Sequence, residues 1–415
     1  MVSDATRSWW FLFLTASQVM LDVSVAFAPS SESPIMKICF RMIVMTGLAF
    51  FAGIWTHHLA AQEAPRGASN ANQSSQAVAE EIGSLRNARV AIPMEGQKKE
   101  LTFFSGSLSE SERAELAKLA SNVRIVSGLS PAAALARAEE AHGIDARYAS
   151  PQFLARAKNL AWVQAMSAGV DRLVTIEPLA SNDAIVLTNF RGVHGPAIAD
   201  HAMAMLLTLT RDLGTYAIPG AHRRPAGESQ PIALEGRTML VVGIGGIGTE
   251  IAQRAHGFGM HVIGTRRSKT PGPAFIERVG QPNDMMAMLP EADVVAIAVP
   301  LTPETEGLFD DKTFAAMKPG AYLINIARGK IVETDALLKA LKSGKLAGAC
   351  LDVTDPEPLP VDHPLRSFSN VIVTPHMAGV SEVTKERGTA LFRENMRRFG
   401  AGEPLLNVVD KKAGY

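Results

Sequence analysis

Apolar residues recur along this chain in two rhythms, and their alternation predicts the fold class. Beyond Arg89, short apolar runs at Val90–Pro93, Val123–Val126 and Leu160–Ala165 alternate with stretches of helical spacing at Glu110–Ala120 and Pro131–Ala141. Such runs read as strands and the stretches between them as crossover helices, which predicts a parallel sheet with helices on both faces. A long helix over Pro196–Leu213, with Ile198, Ala202, Met205, Leu206 and Leu209 on one face, leads into a proline-rich polar loop at Pro219–Pro231. A second series then begins: a strand at Thr238–Val242, a glycine-rich turn and helix, and strands at His261–Gly264, Val294–Val299 and Ala321–Ile326. A helix at Thr334–Ser343 and strands at Ala347–Val353 and Val371–Thr374 complete it, and a helix at Glu382–Phe399 rejoins the first series. Two doubly wound α/β domains are expected, the second inserted into the first, with a site between them. No repeat of the solenoid kind interrupts this pattern.

The amino terminus follows neither rhythm. Lys37 and Arg41 precede an apolar run from Met42 to Trp55, and Ala60 and Ala61 follow, the charged, apolar, small-residue order of an export signal cut after Ala61. The run is too short for a membrane-spanning helix, which needs roughly 18 residues or more. A second apolar stretch, Trp9–Ala28, is broken by Asp22, and Met36 is an alternative start. Residues 1–61 are therefore expected to be a leader, 62–87 a flexible linker rich in Ala, Ser, Asn and Gln, and the mature chain exported to the periplasm without a stable membrane anchor. A start-site artefact would make the protein cytoplasmic instead.

Charge and cysteine content narrow the function classes. Forty-one basic side chains balance 41 acidic ones, so nothing favours a nucleic-acid partner. Cys39 and Cys350 are too far apart in the sequence, and in segments too different, to suggest a disulfide framework. No metal-ligand set is assigned.

The glycine-rich turn is Gly243-x-Gly245-Gly246-Ile247-Gly248, after a strand and before a helix. In that setting the first glycine permits a tight turn, the second lets backbone approach a pyrophosphate, and the third lets helix pack on sheet, while the helix amino terminus supplies N–H groups. A glycine motif alone is weak evidence; its neighbours strengthen it. The end of the next strand normally carries an acid for the ribose hydroxyls of NAD, but here it reads Thr265, Arg266, Arg267, Ser268 and Lys269. Arginines suit a 2'-phosphate, so NADP is expected, with NAD possible and a merely solvated basic turn as the plain alternative.

Three more motifs end predicted strands, where open parallel sheets bind ligands. They carry Arg328, Glu357 and His376. A planar cation suits a substrate carboxylate, an imidazole suits proton transfer near neutral pH, and a carboxylate beside the ring orients it and stabilises its protonated form. That set fits hydride reduction of a 2-oxo acid, with the hydride supplied by the dinucleotide.

With "VVGIGGIG", "AVPLTPET", "NIARGKIVE", "LDVTDPEPLP", "VTPHMAG" and "NVVD", the chain resembles the D-isomer-specific 2-hydroxyacid dehydrogenase family from about Arg89 to Asp410. The resemblance implies an α/β fold of two Rossmann-like doubly wound domains, with a cofactor domain (191–375) inserted into a flavodoxin-like substrate domain (88–190 and 376–410). It places the catalytic Arg, Glu and His on Arg328, Glu357 and His376, and substrate-binding backbone N–H groups on Ala168 and Gly169. It adds cofactor contacts at Pro300 and Thr305, the carbonyl of Ala327 and Asp352. It also implies a small 2-oxo or 2-hydroxy acid substrate of the glyoxylate or hydroxypyruvate type. Glu357 stands where formate dehydrogenases carry Gln, and Ala168 where phosphite dehydrogenases carry Lys, which disfavours both. The rival from another class is a dinucleotide-binding regulatory or scaffold protein of the same fold. The helix Pro196–Leu213 is apolar beyond one face, through Met203, Met205 and Leu207, so a homodimer is expected.

Overall fold

The computed structural model describes Ala79 and residues 100–217 and 231–415. The expected leader, the strand at Val90–Pro93, Cys39 and nearly all of the proline-rich loop lie outside the described residues. Of the expected linker only Ala79 is described, and it is helical and buried against the first core.

Two parallel sheets form the framework. The first joins β1 (Leu101–Ser105), β2 (Val123–Ser127), β3 (Gly143–Asp145), β4 (Trp162–Gln164) and β5 (Val186–Thr188) in the order β2-β1-β3-β4-β5. This is the flavodoxin-like order. The second joins β6 (Thr238–Val242), β7 (His261–Thr265), β8 (Arg278–Gly280), β9 (Val294–Ile297), β10 (Ala321–Asn325), β11 (Leu346–Leu351) and β12 (Val371–Val373). Its order is β12-β11-β10-β9-β6-β7-β8, the doubly wound dinucleotide-binding order extended by one strand. Strands buried on both faces must be apolar throughout, and β9 is Val-Val-Ala-Ile, buried at every position. In the second sheet the chain leaves β6 for β7 on one side and returns to β9 on the other. The carboxyl ends of β6 and β9 therefore open a crevice.

Local chemistry sets the helix ends. Ser109 and Glu112 form a reciprocal capping box at the helix Glu110–Leu119, and Ser130 and Ser150 cap helices that begin with Pro131 and Pro151. The expected helix Pro196–Leu213 is two helices, Gly195–Thr210 and Leu213–Ala217, because Asp212 takes φ 55° and breaks the hydrogen-bond run. Met203, Met205 and Leu206 are buried, while Leu207 and Leu209 pack half-buried on the second domain's own core. Much of the apolar surface that suggested a dimer is thus consumed within the chain. The stretch Pro131–Ala141 ends its α-helix at Ala136 and continues as a 3-10 turn, Ala138–Glu140.

After β12 the helix Glu382–Ala401 crosses back and sinks Leu391, Phe392, Met396 and Phe399 into the core of the first sheet. Trp162 anchors that core, with ring centroids 4.9 Å from Phe103 and 5.1 Å from Phe399. Its indole N–H donates to Thr188 Oγ1 at 2.8 Å, so the buried polar end is satisfied. The chain then pairs along β5 through a Thr188–Val408 bridge, and Val409 N donates to Leu187 O at 2.8 Å.

Candidate active site

The glycine turn divides its work. A Cβ on Gly243, which has φ 105°, would stand 2.7 Å from Ala298 O, and one on Gly248 would collide with Gly243 O. These two glycines serve tight packing. Gly245 has no atom within 4 Å of its Cβ position and faces the crevice together with Gly246 and Ile247. Gly245 is the N-cap of the helix Gly246–Gly257, whose first-turn N–H groups lack partners within the helix. An open cradle with unpaired donors and a positive helix end fits a dinucleotide pyrophosphate.

The basic group beyond β7 stands outside the crevice lining. Thr265 is 2% exposed, and its carbonyl accepts the N–H groups of Gly243 (3.1 Å) and Ile244 (2.7 Å); it fixes the turn rather than presenting its side chain. The Arg266 guanidinium donates to the carbonyls of Thr270 and Pro271 at 3.2 and 3.3 Å, bracing its own loop. Arg267 and Ser268 are exposed. Pro300 lines the crevice, whereas Thr305 shapes the loop from behind: its hydroxyl donates to Pro300 O at 2.7 Å and accepts from Thr302 N at 2.8 Å.

His376 takes φ 52° at the carboxyl end of β12, a costly conformation for a residue with a Cβ. The buried Asp352 side chain enforces it. Oδ1 accepts from Thr374 Oγ1 (2.6 Å) and Met377 N (2.9 Å), and Oδ2 accepts from Ala378 N (3.0 Å). The Asp352 carbonyl takes the N–H of His376 itself at 2.9 Å. The Thr374 hydroxyl is met in turn by His201 Nε2 at 3.0 Å. His376 Nδ1 lies 2.8 Å from Glu357 Oε1. An ionised carboxylate only accepts, so Nδ1 carries the proton in that bond and Nε2 is the ring atom available to the crevice.

Arg328 reaches across the domain boundary. Its Nε donates to Asp171 Oδ1 at 3.1 Å, Nη2 lies 3.0 Å from the same oxygen, and Nη1 donates to Ala327 O at 2.7 Å. Each terminal nitrogen carries two N–H groups, so the fork keeps donors for a second carboxylate. Gly169 is pressed against it so closely that a Cβ there would overlap the guanidinium. Asn189 Nδ2 holds the Ala168 carbonyl at 2.8 Å, and Ser167 Oγ holds that of Gly169 at 2.8 Å. Because a trans peptide points its N–H opposite the preceding carbonyl, the Gly169 N–H is directed away from Asn189. Among the described residues neither the Ala168 nor the Gly169 N–H is taken by another backbone group.

These groups line one crevice of about 550 Å³: Ala168, Gly169 and Asp171 come from the first domain, Arg328 and His376 from beyond β10 and β12, and Gly245, Gly246, Ile247 and Pro300 from beyond β6 and β9. Ala327 and Asp352 lie between them, and Glu357 stands behind the His376 ring, outside the lining. Sequence reasoning missed Asp171, although it lies two residues beyond Gly169 in the expected substrate loop. It also missed the anchoring of the His376 turn by Asp352, and His194, a half-buried imidazole in the crevice wall whose pKa is lowered by desolvation. Cys350 is buried and its thiol is pushed well up by burial, which makes it inert.

Residues 203–378 match the family model described as D-isomer specific 2-hydroxyacid dehydrogenase, NAD binding domain. A glyoxylate reductase of Thermococcus litoralis is 35% identical over 269 residues, 63% of this chain and 80% of that protein. The crystal structure of a D-isomer specific 2-hydroxyacid dehydrogenase family protein from Aeromonas salmonicida superposes with a TM-score of 0.65 at 34% identity, covering 75% of this chain and all of that one. An NADPH-dependent glyoxylate/hydroxypyruvate reductase from Sinorhizobium meliloti, solved with NADP and sulfate, gives a TM-score of 0.65 at 28% identity, covering 76% of this chain and all of that one.

Proposed function

The chain belongs to the D-isomer specific 2-hydroxyacid dehydrogenase family, and from that premise we propose that it reduces small 2-oxo acids to D-2-hydroxy acids, with NADPH preferred to NADH. The observation that carries the reading is the Glu357–His376 pair facing Arg328 and the Ala168–Gly169 amides across a single crevice that opens onto the glycine cradle. Arg328 and the two amides hold the substrate carboxylate, which fixes the 2-oxo group against the imidazole. His376 Nε2 gives its proton to the carbonyl oxygen, and Glu357 stabilises the imidazolium beforehand and keeps the ring aimed. Asp171 holds Arg328 in register while its remaining donors take the substrate. A dinucleotide bound at the glycine cradle would supply the hydride that forms the new C–H bond at C2, and the proton from His376 completes the hydroxyl. In the reverse direction His376 accepts that proton. No observation favours the regulatory or scaffold reading.

The cofactor preference rests on the missing acid after β7 and on Arg266 and Arg267 in its place. It is supported by the NADP-bound Sinorhizobium meliloti relative. One charge-assisted bond is worth about 1.5–3 kcal/mol, so kcat/KM should favour NADPH by roughly 10- to 100-fold. Parallel progress curves with the two cofactors measure this, and equal values would remove the preference. The homodimer is carried as part of the proposal, supported by Leu213, which is 50% exposed beyond the helix Gly195–Thr210, and by the half-buried Leu207 and Leu209. Light scattering on the purified protein should give twice the chain mass, and a monomer mass would rule it out.

A further inference from the structure

Arg267 and Tyr415 meet across the boundary between the two domains. The Arg267 guanidinium lies over the Tyr415 ring, 4.2 Å from its centroid. Tyr415 does not hang there loosely. Asp410 Oδ1 accepts from the backbones of Lys412 (3.1 Å) and Ala413 (3.0 Å), Asp410 O accepts from Gly414 N (2.9 Å), and Asp410 N donates to Tyr415 O at 3.1 Å. The base of this turn is fixed to the first domain, where Lys411 Nζ donates to the carbonyls of Leu179, Asn182 and Ile185. Gly414 and Tyr415 also line the crevice, and a Cβ added to Gly414 would stand 4.0 Å from Thr302 Cγ2. A rigid turn of the first domain thus places an aromatic face under an arginine of the second.

The surroundings of Arg267 make this contact informative. Among the described residues Arg267 forms no ion pair. The Glu304 carboxyl is held below the usual range, chiefly by bonding to the Thr302 hydroxyl and in small part by the charge of Arg267. A stacked guanidinium keeps its in-plane N–H donors and loses the rotamer freedom an exposed arginine otherwise has.

Resting on the NADP reading above, we propose that Tyr415 is a positioning residue for cofactor choice: its ring holds Arg267 flat with its donors turned to the 2'-phosphate of NADP, from the domain opposite the glycine cradle. This makes the first domain a participant in reading the adenosine end of the cofactor. Binding of the 2'-phosphate through Arg267 is also coupled to the relative position of the two domains.

The test is equilibrium binding, by calorimetry on the full chain, of two adenosine probes that cannot turn over: 2',5'-ADP and AMP. Wild type should bind 2',5'-ADP tighter than AMP by roughly tenfold or more, given the strength of charge-assisted bonds. Tyr415→Ala should weaken 2',5'-ADP about three- to tenfold, as expected for a lost cation–π contact that also orders an arginine, and leave AMP unchanged. Tyr415→Phe should behave as wild type, and Tyr415→Ala added to Arg267→Gln should cost nothing more. Unchanged AMP binding also shows that the variant is folded. Wild-type indifference to the 2'-phosphate would overturn the NADP reading and this use of Tyr415 with it. Wild-type discrimination that survives in Tyr415→Ala, or an equal loss for both probes, would overturn the role of Tyr415 alone.

Discussion

Replacing His376 by alanine is expected to lower kcat for 2-oxo acid reduction by about 10²- to 10⁴-fold, the usual range for a lost general acid. Affinity for the dinucleotide should stay within about twofold, because the cradle at Gly245, Gly246 and Ile247 lies on another strand end. The size of the effect follows from geometry. The φ of 52° costs backbone energy, and the Asp352 carboxylate and carbonyl are committed to holding the turn that imposes it. Glu357→Gln keeps an oxygen near Nδ1 and removes the charge, so its loss should be smaller than that of the alanine variant yet still lie in kcat rather than KM. Stopped-flow measurement of a single turnover separates these, and a His376→Ala protein that retains a tenth of wild-type kcat would refute the assigned role.

Arg328→Lys should reduce kcat/KM by about 10²-fold or more, although the charge is kept. Arg328 makes three contacts at once, with Nε and Nη2 on Asp171 Oδ1 and Nη1 on Ala327 O, and still presents donors to the crevice. A lysine ammonium cannot hold Asp171 and Ala327 while also meeting a carboxylate along two parallel bonds. Asp171→Asn should cost less, since the Ala327 contact still restrains the fork. A steady-state comparison of the two variants against a single 2-oxo acid checks this order, and a lysine variant with wild-type kcat/KM would contradict it.

The parts of this molecule that could be read from the sequence are those whose signal is local. β6, β9, β10 and β11 are runs of apolar residues buried on both faces, and their pattern located them to within a residue or two. β3, β5 and β8 have three residues each, too few for any period to show, and β1 places buried Thr102 and Ser105 inside a strand where a pattern reading expects apolar side chains. Arg328, Glu357 and His376 were legible because each follows the end of a strand of one parallel sheet, and topology gathers such ends at one edge. Other features depend on residues distant in the chain. The Asp171–Arg328 pair joins two domains, and Asp352, read only as a cofactor contact, proves to anchor the His376 turn. Thr265 was legible as a departure from the family's acid but not as the buried residue whose carbonyl accepts the N–H groups of the glycine turn. Tyr415 had no signal of its own, because its meaning lies in the arginine it covers.

The central claim is that one crevice holds a 2-oxo acid between Arg328 and His376 and delivers hydride and proton to its carbonyl. The measurement that tests it most directly is chiral analysis of the product formed by the full chain from hydroxypyruvate and NADPH, with His376→Ala run in parallel. The account predicts one equivalent of D-glycerate for each NADPH oxidised, and almost none from the variant. A product of the opposite hand, or equal turnover by wild type and His376→Ala, would contradict it.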